Sequence, residues 1–434
     1  MNIRVVMIGS GGREDALARR IKESGGTIVS IMTNDNPSIR SMSERVHFAG
    51  EDEVEKIVDI IRDENPDVVY VSPDSFLETA IVDKLEYSKI RVASPSSRAF
   101  KIESSKIYMR QLMKRYGISG NIKFEVFDSE YEAGKFLDDL SREFAIKPAG
   151  LTGGKGVKLT DAHFRNREEA KEYAFSIIRN DRKVLIEEKI EGEEFSLQAF
   201  TDGTTLVFAP VAQDYKRLLD GDEGPNTGGM GSITDRNGSL PFLKQENIEK
   251  AKDILAKFVK SLYDDGALFR GVIYGQFMQT MKDVKVIEIN GRLADPEGIN
   301  ILTLFDGDIC ELLMSTANAE LLEKKFRFRK VASVVKYIVP KGYGYNPEST
   351  TLKVNTENLP GDVRIFYGSV SGTLNEVETT HSRALAIYAE GETIWEASEK
   401  IEANLWRITG EYEMRHDIGS KKSLAKKVEY FTLN

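Results

Sequence analysis

Gln213-Asp-Tyr-Lys-Arg-Leu-Leu-Asp-Gly-Asp-Glu-Gly-Pro-Asn-Thr-Gly-Gly-Met-Gly231 begins with charges of both signs and closes on glycine. Between Asp220 and Gly231 it packs five glycines and one proline among three acids. Helices and strands both disfavour that composition. It suits a loop whose backbone must approach a small polar ligand, because glycine amides reach phosphate or carboxylate oxygens with no side chain in the way. Asp214, Lys216 and Arg217 suit a ligand carrying both an amine and an anion. An ordered surface loop has the same composition, so the surrounding chain has to discriminate.

Upstream, residues 1–100 alternate short apolar strands (3–8, 27–32, 68–71, 90–93) with helices (16–24, 53–63, 77–85). This rhythm predicts a parallel sheet covered by helices, with ligands at the carboxyl ends of its strands. A helix rich in Lys, Arg and Met over 104–116 leads into a compact α+β unit over 121–200. Strands near 195–201, 206–212, 271–280 and 284–290, with a long helix over 244–263, read as mainly antiparallel. The basic stretch 324–330 looks like a connector to a last α+β block. The predicted domains are 1–103, 104–327 (a small lobe of about 121–192 and a larger lobe of about 193–327) and 328–434.

A net charge of −9 argues against general nucleic-acid or membrane-surface binding. One cysteine, Cys310, excludes an intrachain disulfide, and His47, His163, His381 and His416 show no zinc spacing. No apolar run is long enough for a membrane span. The first residues enter a strand at once, which leaves no room for a signal peptide and makes the expected compartment cytoplasmic.

Four further motifs carry chemistry. Gly9-Ser-Gly11-Gly12-Arg13-Glu14 follows the first strand. Glu14 stands where a dinucleotide fingerprint needs its third glycine, which weakens an NAD site. A phosphate-binding turn at a helix N-terminus, with Arg13 as partner, and a simple tight turn both remain open. Lys147-Pro-Ala-Gly150-Leu-Thr-Gly153-Gly154-Lys155-Gly156 is not a Walker A loop, but places two lysines around a glycine hairpin. Two ammonium groups suit a nucleoside triphosphate, and the hairpin suits a lid. The strand end Glu187-Glu188-Lys189-Ile190 with Glu194 could offer backbone to an adenine edge and a carboxylate to ribose. In Glu288-Ile-Asn290-Gly-Arg292-Leu-Ala-Asp295-Pro-Glu297, residues two apart on a strand share a face, so Glu288 and Asn290 project together as hard ligands suited to Mg²⁺.

Taken together the motifs resemble the ATP-grasp enzymes, and among them the phosphoribosylamine–glycine ligase family. The likeness extends through Gly11–Glu14, the 153–157 glycine loop, 192–194, the 213–231 stretch, Asp295-Pro-Glu297, Lys336-Tyr337, Ser382-Arg-Ala-Leu-Ala386 and Arg415-His-Asp-Ile-Gly419. Asp15 and Asp74 depart from the family's usual residues. The resemblance implies an N-terminal parallel-sheet (pre-ATP-grasp) domain, a two-lobed ATP-grasp core and a C-terminal α+β domain. It implies ligation of glycine to 5-phosphoribosylamine with ATP and Mg²⁺ or Mn²⁺, through a glycyl phosphate, in purine biosynthesis. By the same token Lys106, Lys147 and Lys155, with Gly153 and Gly154, would hold ATP phosphates. Residues 187–190 would form the adenine hinge, Glu194 would hold ribose, and Glu288 and Asn290 the metal. Arg292 would stabilise the acyl phosphate, and Asp214 would take the glycine amine. Gly11, Gly12, Arg13, Lys216, Arg217, Asn226, Thr227, Gly228, Gly229, Met230, Gly231, Asp295 and Glu297 would serve the substrates. A monomer or weak homodimer is expected. An NAD-binding oxidoreductase and a non-catalytic nucleotide sensor are the competing readings.

Overall fold

The computed structural model describes residues 2–140, 143–150 and 156–432. Its N-terminal sheet is parallel, with strands Arg45–Phe48, Thr27–Met32, Arg4–Ile8 and Val68–Val71 side by side. Arg4–Ile8, Thr27–Met32 and Val68–Val71 are apolar runs buried on both faces, as a parallel sheet between helices requires. One expectation fails here. The predicted strand over 90–93 meets the sheet only through the single bridge Val69–Val92. The fourth strand is instead Arg45–Phe48, a four-residue edge strand in which exposed or half-buried Arg45 and His47 alternate with Val46 and Phe48.

Helix Lys106–Tyr116 begins at the Ser105 cap, whose side chain accepts the Tyr108 amide. It leads into a small antiparallel sheet ordered Phe124–Phe127, Val184–Glu188, Phe144–Pro148, Lys158–Leu159. Val184 and Ile186 face helices Glu130–Asp139 and Arg167–Asp181 in a separate small core, which leaves Leu185 and Glu187 on the opposite face.

The larger lobe is the antiparallel sheet Leu206–Phe208, Glu193–Thr201, Gly271–Gln279, Val284–Asn290. Phe195, Leu197, Ile273, Phe277 and Ile289 belong to the main core, as does the apolar stripe Ile248, Ile254, Leu255, Phe258, Leu262 of helix Gln245–Asp264. Each such buried side chain contributes roughly 1.5–3 kcal/mol. The other face is polar: cross-strand partners Ser196, Gln276 and Glu288 lie in one row, and Gln198, Tyr274 and Asn290 in the next. A bulge at Ile287 makes this possible, because Gln276 pairs with Glu288 while Phe277 pairs with Val286. Without the extra residue Val286 and Glu288 would share a face.

The 220–231 stretch, expected as a loop, contains the strand Glu223–Asn226, which forms a hairpin with Arg217–Leu219. Gly221 and Gly224, at φ of 77° and 78°, let the hairpin turn. Strands Gln213–Asp214 and Gly231–Thr234 then join the C-terminal sheet, where Gly231–Thr234 pairs with Ala332–Val339. That sheet continues through Leu385–Gly391 and Val363–Tyr367 and is backed by helix Ile394–Asn404. Among the described residues no helix is long and apolar enough to cross a membrane.

Candidate active site

The site lies where the polar face of the larger sheet meets the small lobe. Its back wall is built around Arg110, fully buried on helix Lys106–Tyr116. Arg110 Nε donates to Glu187 Oε1 at 2.6 Å, and its terminal nitrogens donate to the carbonyls of Val286 (2.9 Å) and Ile287 (3.0 Å). One guanidinium therefore pins the bulge that aims Glu288 and also holds the end of the small-lobe strand. Lys147 Nζ donates to the other Glu187 oxygen at 2.6 Å. Burial alone would raise the Glu187 pKa, but Arg110 and Lys147 outweigh it and hold the carboxyl down to about 2. Lys106 Nζ donates to the Gly150 carbonyl at 2.6 Å. Lys155, Gly153 and Gly154 lie outside the described residues.

The predicted hinge carries bonds of its own. The Glu188 amide donates to the Lys123 carbonyl at 3.0 Å and the Lys189 amide to the Glu143 carbonyl at 3.1 Å, while Ile190 is half-buried beyond them. Glu187 reaches this region through its backbone only, since its side chain belongs to Arg110 and Lys147. Glu194 is held by Lys216 Nζ at 2.9 Å and Gln276 Nε2 at 2.7 Å.

Glu288 and Asn290 emerge side by side, with Asn290 Nδ2 at 3.4 Å from Glu288 Oε1. Burial opposes ionisation of Glu288, yet Lys216, the Asn290 contact, Lys106 and Lys147 keep its pKa below the usual carboxylate value. Hard oxygen donors in this state fit a magnesium-type cation completed by phosphate oxygens. No cluster of three or more His, Cys, Asp or Glu converges on a metal position among the described residues.

Next along the strand end, Arg292 Nε lies 3.2 Å from Glu103 Oε1, and the Gly291 amide donates to Glu103 Oε2 at 2.6 Å. Burial raises the Glu103 carboxyl to about 7 against the pull of Arg292. Asp214 and Glu297 form a second acidic pair. Burial, then each other's charge, raises the Asp214 pKa well above the carboxylate range, against Lys216 and Arg383. Its Oδ1 is buried without a hydrogen-bond partner among the described residues, and Tyr274 OH donates to Glu297 at 3.2 Å. Such a pair is suited to a cationic amine.

The glycine loop is tied into the protein through its backbone. Its amides are largely used within the protein: Thr227 N donates to Lys216 O (2.7 Å), Gly229 N to Thr227 Oγ1 (3.0 Å) and Met230 N to Tyr215 O (2.8 Å). Met230 is fully buried, and Gly231 pairs with Lys336, where a Cβ would sit 2.2 Å from the Val335 carbonyl. The glycines are there for packing more than for offering amides. Asn226 and Gly228 are exposed, and Arg217 donates to the Gly224 carbonyl at 2.8 Å.

The first glycine turn is occupied from within as well. The Gly11 amide donates to Glu14 Oε2 at 2.6 Å, so the anion at this helix N-terminus is the protein's own carboxylate. Arg13 donates to Glu14 (2.6 Å), Ser72 (3.1 Å) and the Leu293 carbonyl (2.9 Å) rather than standing free. Gly12 makes room for Tyr337, whose hydroxyl would lie 2.3 Å from a Cβ there and donates to Asp295 Oδ1 at 2.6 Å. The departure Asp15 is a buried acceptor for Ser38 Oγ at 2.6 Å and the Tyr367 amide at 2.8 Å.

Gln276, Tyr274, Arg110, Glu103, Tyr337 and Arg383 were not predicted as site residues. Polar residues alternating within the otherwise apolar strand Gly271–Gln279 are the signal for the first two. Tyr337 and Arg383 lie in motifs that the family resemblance includes.

Family models for phosphoribosylglycinamide synthetase match the whole architecture: the N domain over 3–103, the ATP-grasp (A) domain over 104–298 and the C domain over 333–421. The chain is 40% identical over 432 residues to a phosphoribosylamine–glycine ligase of Methanosarcina barkeri, covering 99% of each, and 35% identical over 429 residues to that of Pyrococcus furiosus, covering 98% and 97%. A crystal structure of phosphoribosylamine–glycine ligase from Thermotoga maritima superposes with a TM-score of 0.79 at 27% identity, over 96% of this chain and 100% of that one. A biotin carboxylase from Campylobacter jejuni shares the fold, with a TM-score of 0.79 at 14% identity over 100% and 99%.

Proposed function

We propose a residue-level mechanism for this chain, which belongs to the phosphoribosylglycinamide synthetase family and has its three-domain architecture. The chain is an ATP-dependent carbon–nitrogen ligase of purine biosynthesis that joins glycine to phosphoribosylamine to give glycinamide ribonucleotide. The observation that carries the mechanism is that Glu288 and Asn290 project together from one strand end (3.4 Å), on the sheet face that also carries Gln276 and Glu194 with Lys216 (2.7 and 2.9 Å), next to Arg292 on Glu103 (3.2 Å).

A carboxylate resists attack by an amine because of its charge and poor leaving group. In the first step a glycine carboxylate oxygen bonds to the γ-phosphorus while the bond to the ADP oxygen breaks, giving glycyl phosphate. The phosphoribosylamine nitrogen then bonds to the carbonyl carbon, inorganic phosphate leaves, and the nitrogen gives up a proton. The protein's share is charge stabilisation and positioning.

Lys106 and Lys147 hold the triphosphate, and the family resemblance assigns Lys155, Gly153 and Gly154, outside the described residues, to the same phosphates. Residues 187–190 hold adenine through the backbone, and Glu194 accepts from ribose. Glu288 and Asn290 would hold Mg²⁺ or Mn²⁺, which when bound neutralises phosphate charge. Arg292, fixed by Glu103, faces the transferred phosphoryl group. Asp214 and Glu297 receive the glycine ammonium beneath residues 226–229, and the first turn Gly11–Arg13 with Asp74 lines the phosphoribosylamine side. The domains divide near 103 and 327, and the chain works in the cytoplasm as a monomer or weak homodimer. ADP release measured with ATP, glycine and phosphoribosylamine, omitting each in turn, tests the reading. Release that persists without glycine would overturn it.

A further inference from the structure

We propose that Arg383, contributed by the C-terminal domain, is a positioning residue for glycine and phosphoribosylamine. It fixes the 228–229 turn and Asp295 from behind, and the inference rests on the reading of that turn as the substrate loop. Arg383 lies in the motif Ser382-Arg-Ala-Leu-Ala386, which the mechanism above leaves unused.

One terminal nitrogen of Arg383 donates to three backbone carbonyls: Gly228 at 2.5 Å, Gly229 at 3.0 Å and Asp295 at 3.0 Å. The other donates to Asp295 Oδ2 at 2.9 Å. The guanidinium stacks on the Tyr337 ring at 4.6 Å, and the Tyr337 hydroxyl donates to the second Asp295 oxygen at 2.6 Å. Asp295 is thus held at both oxygens by C-terminal residues.

The loop sequence is shaped to this clamp. A Cβ at Gly228 would sit 3.2–3.4 Å from the Arg383 guanidinium, so a side chain there would push against the clamp. At Gly229, with φ of 105°, a Cβ would sit 2.7 Å from Asp214 Oδ1 and 2.6 Å from Pro296 Cδ. The residue clamped on one side by Arg383 therefore bears directly on the carboxylate assigned to the glycine ammonium. A planar fork with several donors performs this task, and a lysine ammonium cannot reproduce it. Arg383 reaches the reaction through Gly229, Asp214 and Asp295, and among the described residues its hydrogen bonds go to none of those assigned to ATP or the metal.

The test is steady-state kinetics of the full chain for Arg383→Lys and Arg383→Ala, each beside its melting temperature. The KM for glycine or phosphoribosylamine is expected to rise roughly 10- to 100-fold, the range for losing charge-assisted hydrogen bonds, while the KM for ATP stays within about twofold. Methylguanidinium at millimolar concentration should restore part of the loss in Arg383→Ala and none in the parent. Should the alanine variant not fold, the lysine variant supplies the same comparison. Unchanged KM values for all substrates, or a rise confined to ATP, would overturn the role. Gly229→Val separates this from the loop reading. If it raises the glycine or phosphoribosylamine KM while the Arg383 variants do not, only the Arg383 role fails; if it spares both, the loop reading itself fails.

Discussion

Arg110 and Glu187, 77 residues apart in sequence, meet in the interior at 2.6 Å and tie the small lobe to the bulge beside Glu288. Lys147 completes the arrangement at 2.6 Å on the other oxygen. Two buried cations share one carboxylate, and removing the carboxylate leaves both uncompensated.

Glu187→Gln is therefore expected to cost about 3–5 kcal/mol of stability at pH 7. The folded carboxyl is held down to about 2, below its ordinary value of 4.5, so its stabilisation is fully present above pH 4.5 and fades as pH falls towards 2. Chemical denaturation of parent and variant at pH 7 and near pH 3 should show the gap narrowing. A gap that widens in acid would contradict the assignment.

Glu288→Gln should abolish most turnover with little change in melting temperature. The amide keeps the shape but loses the charge that Lys216, Lys106 and Lys147 face. Raising Mg²⁺ or Mn²⁺ should recover part of the activity, since the weakened site then fills by mass action. Normal rates at low metal concentration would remove Glu288 from the ligand set.

Gly229→Val should raise the KM for glycine or phosphoribosylamine and leave nucleotide affinity nearly unchanged. Its left-handed backbone and the 2.6 Å and 2.7 Å approaches leave no space for a side chain. Calorimetry with ATP beside kinetics for each substrate decides the matter. Loss of ATP affinity alone would reassign the loop.

The apparent affinity for glycine should fall as pH is lowered. Asp214 takes up a proton at higher pH than an ordinary carboxyl, because burial and Glu297 disfavour its charge, and a neutral acid binds an ammonium poorly. The kcat/KM for glycine should decline on the acid side while the KM for ATP stays flat. Asp214→Asn should lower the profile and remove much of that slope, and a slope unchanged in the variant would exclude Asp214 as its source.

The three apolar parallel strands and the Glu288 and Asn290 pair are readable from the sequence because each depends on local pattern. Arg4–Ile8, Thr27–Met32 and Val68–Val71 are apolar runs that bury both faces. Edge strand Arg45–Phe48 is half-exposed and carries no such pattern. Period-two logic places Glu288 with Asn290 but would add Val286 to the same face. The bulge that prevents this is held by Arg110, 176 residues from Val286, and no local rule reveals it. The glycine loop shows a different limit of local reading. Its composition suits amides that approach a ligand, and it equally suits close packing: Arg383, Asp214 and the Val335 carbonyl lie against Gly228, Gly229 and Gly231.

Strand Gly231–Thr234 belongs in sequence to the central domain and in space to the sheet of the last one. The two domains are therefore dovetailed, and neither half of the joint is finished alone. A chain cut between 298 and 332 would leave the central piece with an open row of backbone donors and acceptors along Gly231–Thr234, and the C-terminal piece with the matching vacancy along Ala332–Val339. The two pieces should recover solubility and ligase activity only when made together, so the substrate loop and the last domain change as one unit.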